Sequence, residues 1–487
     1  MNTDNIFGPT KLRPDIVDYL KKDLEDIESK YPIAAIYVHL KNGSDKRYRI
    51  PDNRDLLEKL LREEIRPHEL ESEIFSRTKP FYLSEDEAWI ESCKCAQRIR
   101  SDFLASKTGV KLESLNSSKV TSGIRRKGRY VTRIENMYGA VETPLGFAGP
   151  LKITGSDINQ DKPFFSGNFY IPLATNEAAL IAGVNRGCKY VGEVKTLITK
   201  DGMTRAPVIE CPNKDYADRV IEWIQCKENF QLLKDAAQKT TSHGELLDID
   251  IIRGERHPNV IYPRFRFFTG DAMGMNIGTI MVEESCKILE KEFPEIDTLA
   301  LSSNLCSDKK QTRINKEKGR GLSIKTSAII SREALEHGGV NAERIEKINY
   351  HKNVEGSELA GTIGGYNGHV ANAIAAVYAA TGQDLAQIVE SSTCTTYAKA
   401  LKNGDLEVGC DLPCIEVGTV GGGTDAPTPS ENLKMLGVLG SGNPLGSNRK
   451  KLGCVVAATG TATEYNLLMT LARKELAKTH AKLTGRI

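Results

Sequence analysis

Arg264-Phe265-Arg266-Phe267-Phe268 is a strand-like run; Gly270-Asp271-Ala272-Met273-Gly274-Met275-Asn276 is a tight turn of mostly small residues, and the apolar Ile277, Ile280 and Met281 begin a helix. Such a turn points free backbone N–H groups and the positive end of a helix dipole at an anion, and its glycines let a phosphate come close. A dinucleotide or phosphate cradle is one reading, and an ordinary strand-to-helix connection is the other. The turn fits neither the Rossmann GxGxxG pattern nor the phosphate-loop GxxxxGK pattern. Working outward, an amphipathic helix over 217–225, the strand Val260 to Phe268 and the helix after Gly270 form an α+β module from Val208 to Leu301, set between glycine-rich segments. The rival pattern Gly440-Ser441-Gly442-Asn443-Pro444-Leu445-Gly446 has Leu and Met at helical spacing before it and a proline where the first helical turn should be. It reads as a surface loop between helices rather than a Rossmann turn.

With 487 residues, the chain is long enough for about three domains. It is 40% hydrophobic and 27% charged, which is globular usage, and 66 bases against 64 acids leave a net charge of +2. So small a charge gives no field for gathering nucleic acid or an anionic membrane, so neither is expected as a partner. No window reaches the roughly 18 apolar residues of a membrane span, and Met1-Asn2-Thr3-Asp4-Asn5 lacks the basic-then-apolar pattern of a signal peptide, so a cytoplasmic location is expected. The eleven cysteines have no Cys/His spacing that completes a zinc site, which leaves reduced, mostly buried thiols and no metal.

Residues 1–85 differ in texture. Ile16, Leu20, Leu24 and Ile27 predict one amphipathic helix, and Leu56, Leu57, Leu60, Leu61 and Ile65 predict another that ends before Pro67. An accessory region is expected there, with a small helical domain over 86–125, a large domain over 126–207 and 301–487, and the inserted module over 208–300.

Chemistry concentrates in turns of the later part. Lys309 and Lys310 follow the hydroxyl-rich Ser302-Ser303-Asn304-Leu305-Cys306-Ser307-Asp308 and precede Arg313, Lys316, Lys318 and Arg320. Such lysines are either a solvated face or a fixed charge for an oxyanion or carboxylate; Cys306 is either a buried small hydrophobe or an acylated nucleophile. The all-round apolar helix from Val370 to Ala380 must be buried, and Asp384, placed against it, needs a cationic partner. Glu177 is expected in the first turn of a helix from Ala178 to Val184, ending near Asn185-Arg186-Gly187-Cys188, as a dipole partner or a general acid.

Together with Glu135-Asn136, Pro144 to Pro150, Gly364-Gly365-Tyr366-Asn367, Gly382-Gln383-Asp384 and Gly418 to Thr424, these motifs make the chain from about Glu135 to His480 resemble the 3-hydroxy-3-methylglutaryl-coenzyme A reductases. Asn185-Arg186-Gly187-Cys188 resembles the biosynthetic class of eukaryotes and archaea. The resemblance implies a large helical domain that binds the acyl-coenzyme A, and an inserted ferredoxin-like, non-Rossmann domain that binds the cofactor. It implies NADPH, and a homodimer or homotetramer with active sites between subunits. It assigns catalysis to Glu177, Lys309, Asp384 and His480. It places the cofactor on Ser242, His243, Asp271, Met273, Gly274, Met275, Asn276, Gly421 and Gly422, and the substrate on Arg186, Arg205, Ser302, Asn304, Asp308, Lys310, Lys352, His369 and Asn372. Thr241-Ser242-His243-Gly244 stands where many members have an arginine for the 2′-phosphate, which keeps NADH open as an alternative. A non-catalytic acyl-coenzyme A binder, a cysteine-acylating reductase using Cys306 and an enzyme running in the mevalonate-degrading direction are the competing readings.

Overall fold

The computed structural model describes residues 48–49, 53–108, 123–126 and 129–475. The helix predicted around Ile16 to Ile27 lies outside them, as does His480. The chain divides into two units, residues 1–142 and 143–487.

In the first unit, helices Arg54–Leu61, Leu70–Arg77 and Glu85–Thr108 pack Leu56, Leu60, Leu70, Ile74, Ala96 and Ile99 into a small core. The helix carrying Leu56 and Leu60 stops at Leu61, short of the predicted end, because Glu63 takes a left-handed backbone (φ 62°) and Ile65 packs from a turn. The unit runs past residue 125 because Arg100 and Ser101 donate to the Met137 and Tyr138 carbonyls at 3.0 and 2.9 Å.

The second unit is built on one eleven-stranded sheet. Its strands are β1 (Leu145–Asp157), β2 (Phe165–Ala174), β3 (Glu193–Arg205), β4 (Val208–Glu210), β5 (Glu245–Arg253), β6 (Val260–Phe268), β7 (Asp297–Ala300), β8 (Gly321–Ile330), β9 (Gly365–Tyr366), β10 (Cys394–Ala400) and β11 (Leu406–Ile415). The order is β7-β4-β6-β3-β8-β11-β10-β9, with β1 pairing with β2 and, in parallel, with β3, and β5 pairing with β6. The long β3 is the hinge of the architecture. Its residues 195–202 pair with β8, and its last three residues pair with β6.

Strands β4 to β7, with helices Lys214–Gln225, Lys227–Gln238 and Met275–Glu292, run β-α-α-β-β-α-β in the antiparallel order β7-β4-β6-β5. That is the ferredoxin-like arrangement, and it has its own core of Ile209, Val220, Leu246, Phe265, Phe267, Met281, Val282 and Leu289. The expected strand Val260–Phe268 is found with the same ends.

The larger core surrounds helix Ser447–Ala472, which is buried on almost every face. Small residues make this packing possible. A Cβ on Gly453 would lie 2.6 Å from Leu322 Cδ1, and one on Gly187 would lie 2.0 Å from the Ala462 carbonyl oxygen. Gly187 is thus a crossing point of two helices, and helix Leu180–Val191 passes through 185–188, where the sequence pattern predicted an end. No helix among the described residues is long and apolar enough to cross a membrane.

Candidate active site

Asp384 has the cation that its setting demands. Helix Val370–Thr381 is buried through Val370, Ala373, Ile374, Val377 and Tyr378, and ends at Gly382 in a left-handed cap (φ 68°). Two residues on, Asp384 Oδ1 accepts the Ala386 N–H at 3.0 Å, and Oδ2 meets Lys309 Nζ at 2.8 Å. The hydrogen bond to Asp384 outweighs partial desolvation and raises the Lys309 pKa above its ordinary 10.5, so the ammonium is fixed in charge and place. Lys310 Nζ reaches only the Asp308 carbonyl, at 3.4 Å.

The Asp271–Asn276 turn lies in the same neighbourhood through a short chain of contacts. Gln383 Nε2 donates to the Gly418 carbonyl at 3.0 Å and its Oε1 accepts the Gly418 N–H at 2.8 Å. Thr419 N–H then donates to the Asp271 carbonyl at 2.8 Å. Gly274 caps helix Met275–Glu292 at φ 101°, and a Cβ there would lie 2.3 Å from Thr269 Cγ2, so only glycine fits. Met273, Gly274, Met275 and Asn276 thus sit at a helix N-terminus, beside the loop containing Gly421 and Gly422. Both of those glycines have positive φ and open space where a Cβ would project.

The Asp271 side chain does something else. Its carboxylate is buried and accepts the N–H groups of Gly442 at 2.9 Å, Gly446 at 2.8 Å and Arg449 at 3.0 Å. The Gly440–Gly446 segment is the expected loop between helices, and the anion it cradles is the protein's own carboxylate. Ser242 and His243 are exposed and bonded to each other at 2.9 Å, and the His243 carbonyl abuts Gly270.

The substrate candidates fall into two groups. Near the cofactor helix, Arg205 donates to Ser302 Oγ at 2.8 Å and to Thr279 Oγ1 at 2.7 Å; Asn304 opens the short turn that ends at Cys306. Cys306 is 2% exposed, which favours the buried small hydrophobe over the nucleophile. At the far end of helix Val370–Thr381, Glu177 accepts from Asn372 Nδ2 at 3.1 Å, His369 N–H donates to Glu464 at 2.7 Å, and Arg186 donates to Asn466 at 3.2 Å. Glu177 is exposed and precedes the helix it was expected to start, because Ala179 takes a left-handed turn (φ 75°) before Leu180. Lys352 is exposed on the π-helical segment Tyr350–Glu355. A twelve-residue helix is about 18 Å long, so Glu177 is not on the same spot as the Lys309–Asp384 pair within one chain.

The hydroxymethylglutaryl-coenzyme A reductase family model matches residues 96–485. The chain belongs to this family. The 3-hydroxy-3-methylglutaryl-coenzyme A reductase of Pyrococcus abyssi is 43% identical over 89% of this chain and 99% of its own length, and that of Haloferax volcanii is 44% identical over 72% and 84%. These are archaeal members of the reductase family, as the biosynthetic-class motif anticipates. In fold, the chain is similar to the class II hydroxymethylglutaryl-coenzyme A reductase of Streptococcus pneumoniae described as bound to NADPH in open conformations, with a TM-score of 0.53 and 19% identity over 70% of this chain and 87% of that one. As a member of the reductase family, the protein is an oxidoreductase acting on hydroxymethylglutaryl-coenzyme A.

The sequence pattern missed the acids beneath the reductase site. Arg320, the last of the basic residues after Lys310 and given no role from the sequence, is 1% exposed and meets Glu390 and Glu416. Glu464, buried in the central helix, binds the Gly368 and His369 amides. An acid within an apolar helix was the available signal for Glu464; nothing in the spacing linked Arg320 to residues 70 and 96 positions away.

Proposed function

We propose that the chain reduces 3-hydroxy-3-methylglutaryl-coenzyme A to mevalonate and coenzyme A with two NADPH, through mevaldyl-coenzyme A and mevaldehyde. The observation that carries this reading is the Lys309–Asp384 pair, 2.8 Å apart and tied through Gln383 and Gly418 to the Asp271–Asn276 turn. The positive-φ Gly421 and Gly422, on the loop whose Gly418 abuts Met273 at a helix N-terminus, suit a pyrophosphate, with Ser242 and His243 toward the adenosine end. Bound NADPH supplies the hydride in each half of the reaction.

The chain's own groups manage charge and protons. When the thioester carbonyl is reduced, Lys309 stabilises the oxyanion that develops. Collapse of the hemithioacetal expels a thiolate, and His480 is assigned to protonate it, since an imidazole exchanges protons near neutral pH. After the second reduction the alkoxide takes a proton from Glu177, while Asp384 orients Lys309. Because Glu177 lies at the other end of helix Val370–Thr381 from Asp384, a second copy of the chain is required to bring the acid over the lysine.

The test is an assay of substrate-dependent cofactor oxidation with NADPH and NADH in parallel, together with measurement of free coenzyme A. Two NADPH oxidised per coenzyme A released is expected; a ratio of one to one would sink the mevalonate reading.

A further inference from the structure

Beneath Lys309 lies a charged cluster that touches neither substrate nor cofactor. The side chains of Arg320, Glu390 and Glu416 are fully buried, and the one guanidinium meets both acids, Glu416 Oε1 at 2.5 Å and Glu390 Oε1. It also pairs with Asp308 at 3.2 Å and touches Met275 Sδ at the start of the cofactor helix. Two ionised acids on one arginine would leave a negative charge in a site without water, which is costly. Burial pushes the Glu416 carboxyl well above the usual range, and burial also raises that of Glu390. Glu416 Oε2 meets no partner among the described residues, so Arg320 is the group that holds both acids.

From this cluster Glu390 reaches the catalytic loop. Its Oε1 accepts the Lys309 backbone N–H at 3.0 Å, and its Oε2 accepts Asn315 Nδ2 at 3.0 Å. The same Asn315 nitrogen donates to the carbonyls of Ser307 and Lys310 at 3.1 and 3.2 Å. Ser307 and Lys309 both have left-handed backbones, with φ of 59° and 58°, a conformation that side-chain-bearing residues keep only when their surroundings impose it. We propose that Glu390 is a positioning residue for the reduction, holding Lys309 in the strained loop conformation that aims its ammonium at Asp384, and itself anchored by Arg320.

The proposal rests on the reading of Lys309 as the oxyanion stabiliser, and both can fail separately. An inactive wild-type enzyme defeats that reading; the proposal is judged on ratios within an active one. The experiment measures kcat, KM and the pH dependence of kcat for the full chain carrying Glu390→Ala, Glu390→Gln or Glu390→Asp, each normalised to folded protein. For Glu390→Ala, kcat should fall about tenfold to a hundredfold while KM for NADPH stays within about twofold, because a small misplacement of a charged group costs rate rather than binding. Its alkaline limb should also move to lower pH. The charged groups facing Lys309 are Asp384, Asp308 and Arg320, and Asp384 raises its pKa most, so a lysine released from Asp384 loses its proton earlier. Glu390→Gln keeps an oxygen that accepts the Lys309 N–H but turns its amide NH2 toward Asn315 Nδ2, itself a donor to Ser307 and Lys310, so it should recover only part of the rate. Glu390→Asp keeps the charge but withdraws it by one methylene from the amide; it should lose rate, and it carries the test if the alanine variant fails to fold. The proposal is overturned if the alanine or aspartate variant keeps wild-type kcat and pH profile, or if activity follows the folded fraction alone.

Discussion

Lys309 and Lys310 are neighbours of one type, yet Nζ of the first is held at 2.8 Å by a carboxylate, and Nζ of the second reaches a single carbonyl at 3.4 Å. Lys309→Ala should therefore lower kcat by a hundredfold to a thousandfold, the roughly 3 to 4 kcal/mol that a fixed oxyanion donor contributes, with the fold intact and the melting temperature only slightly lower, since so exposed an ion pair contributes little. Lys310→Ala should be far milder, and equal losses would contradict the assigned roles. Asp384→Asn gives a pH test. The folded lysine has a raised pKa, so its ammonium, and the stability gained with it, is fully present below the ordinary 10.5 and is lost as pH rises through the folded value. Removing Asp384 should move the alkaline limb of kcat downward; an unmoved limb would mean that the pair does not set the lysine's charge. That Asp384 has a cation was legible from the burial of the helix before it, although its own side chain stays 36% exposed. Which cation was not, since 75 positions separate the partners, and it came from family resemblance. Arg320 was illegible for the opposite reason: the basic residues before it are solvated, and only the onset of β8 at Gly321 turns this one inward.

Elements with a single environment along their length were the easiest to read. Strand β6 was found to the residue, and helix Val370–Thr381 was recognised as buried because it is apolar on every side. Boundaries failed where a glycine serves packing rather than chain reversal. Asn185 to Cys188 resembled a helix end, but Gly187 lies inside helix Leu180–Val191, where the central helix passes too close for any side chain. Gly187→Ala should accordingly destabilise the protein by roughly 1 to 3 kcal/mol through overpacking, read as a lower melting temperature. Gly192→Ala, at φ 64° and ψ −80° with nothing within 4 Å of the new Cβ, should destabilise through backbone strain alone, by about 1 to 3 kcal/mol. If the first substitution were neutral, the close helix crossing would be wrong.

At the scale of the molecule, the separation of Glu177 from Lys309 by the length of one helix becomes a prediction about mixtures. Glu177→Gln and Lys309→Ala should each be nearly inactive alone. If each site takes its acid from one chain and its lysine from the other, a mixed dimer carries one doubly defective site and one intact site. Equal mixing with full subunit exchange should then restore about a quarter of wild-type activity. No recovery, with exchange verified, would place both groups in one chain. The central helix carries a different consequence, one for synthesis. Strand β1 begins at Leu145, but the helix on which the sheet closes ends at Ala472. At about 5 to 20 residues per second, roughly a quarter of a minute to a minute passes on the ribosome between the first strand and the keystone it waits for. Through that interval the part of the sheet that Ser447–Ala472 covers is without it, so the nascent chain carries exposed apolar surface longer than a domain whose core is complete early.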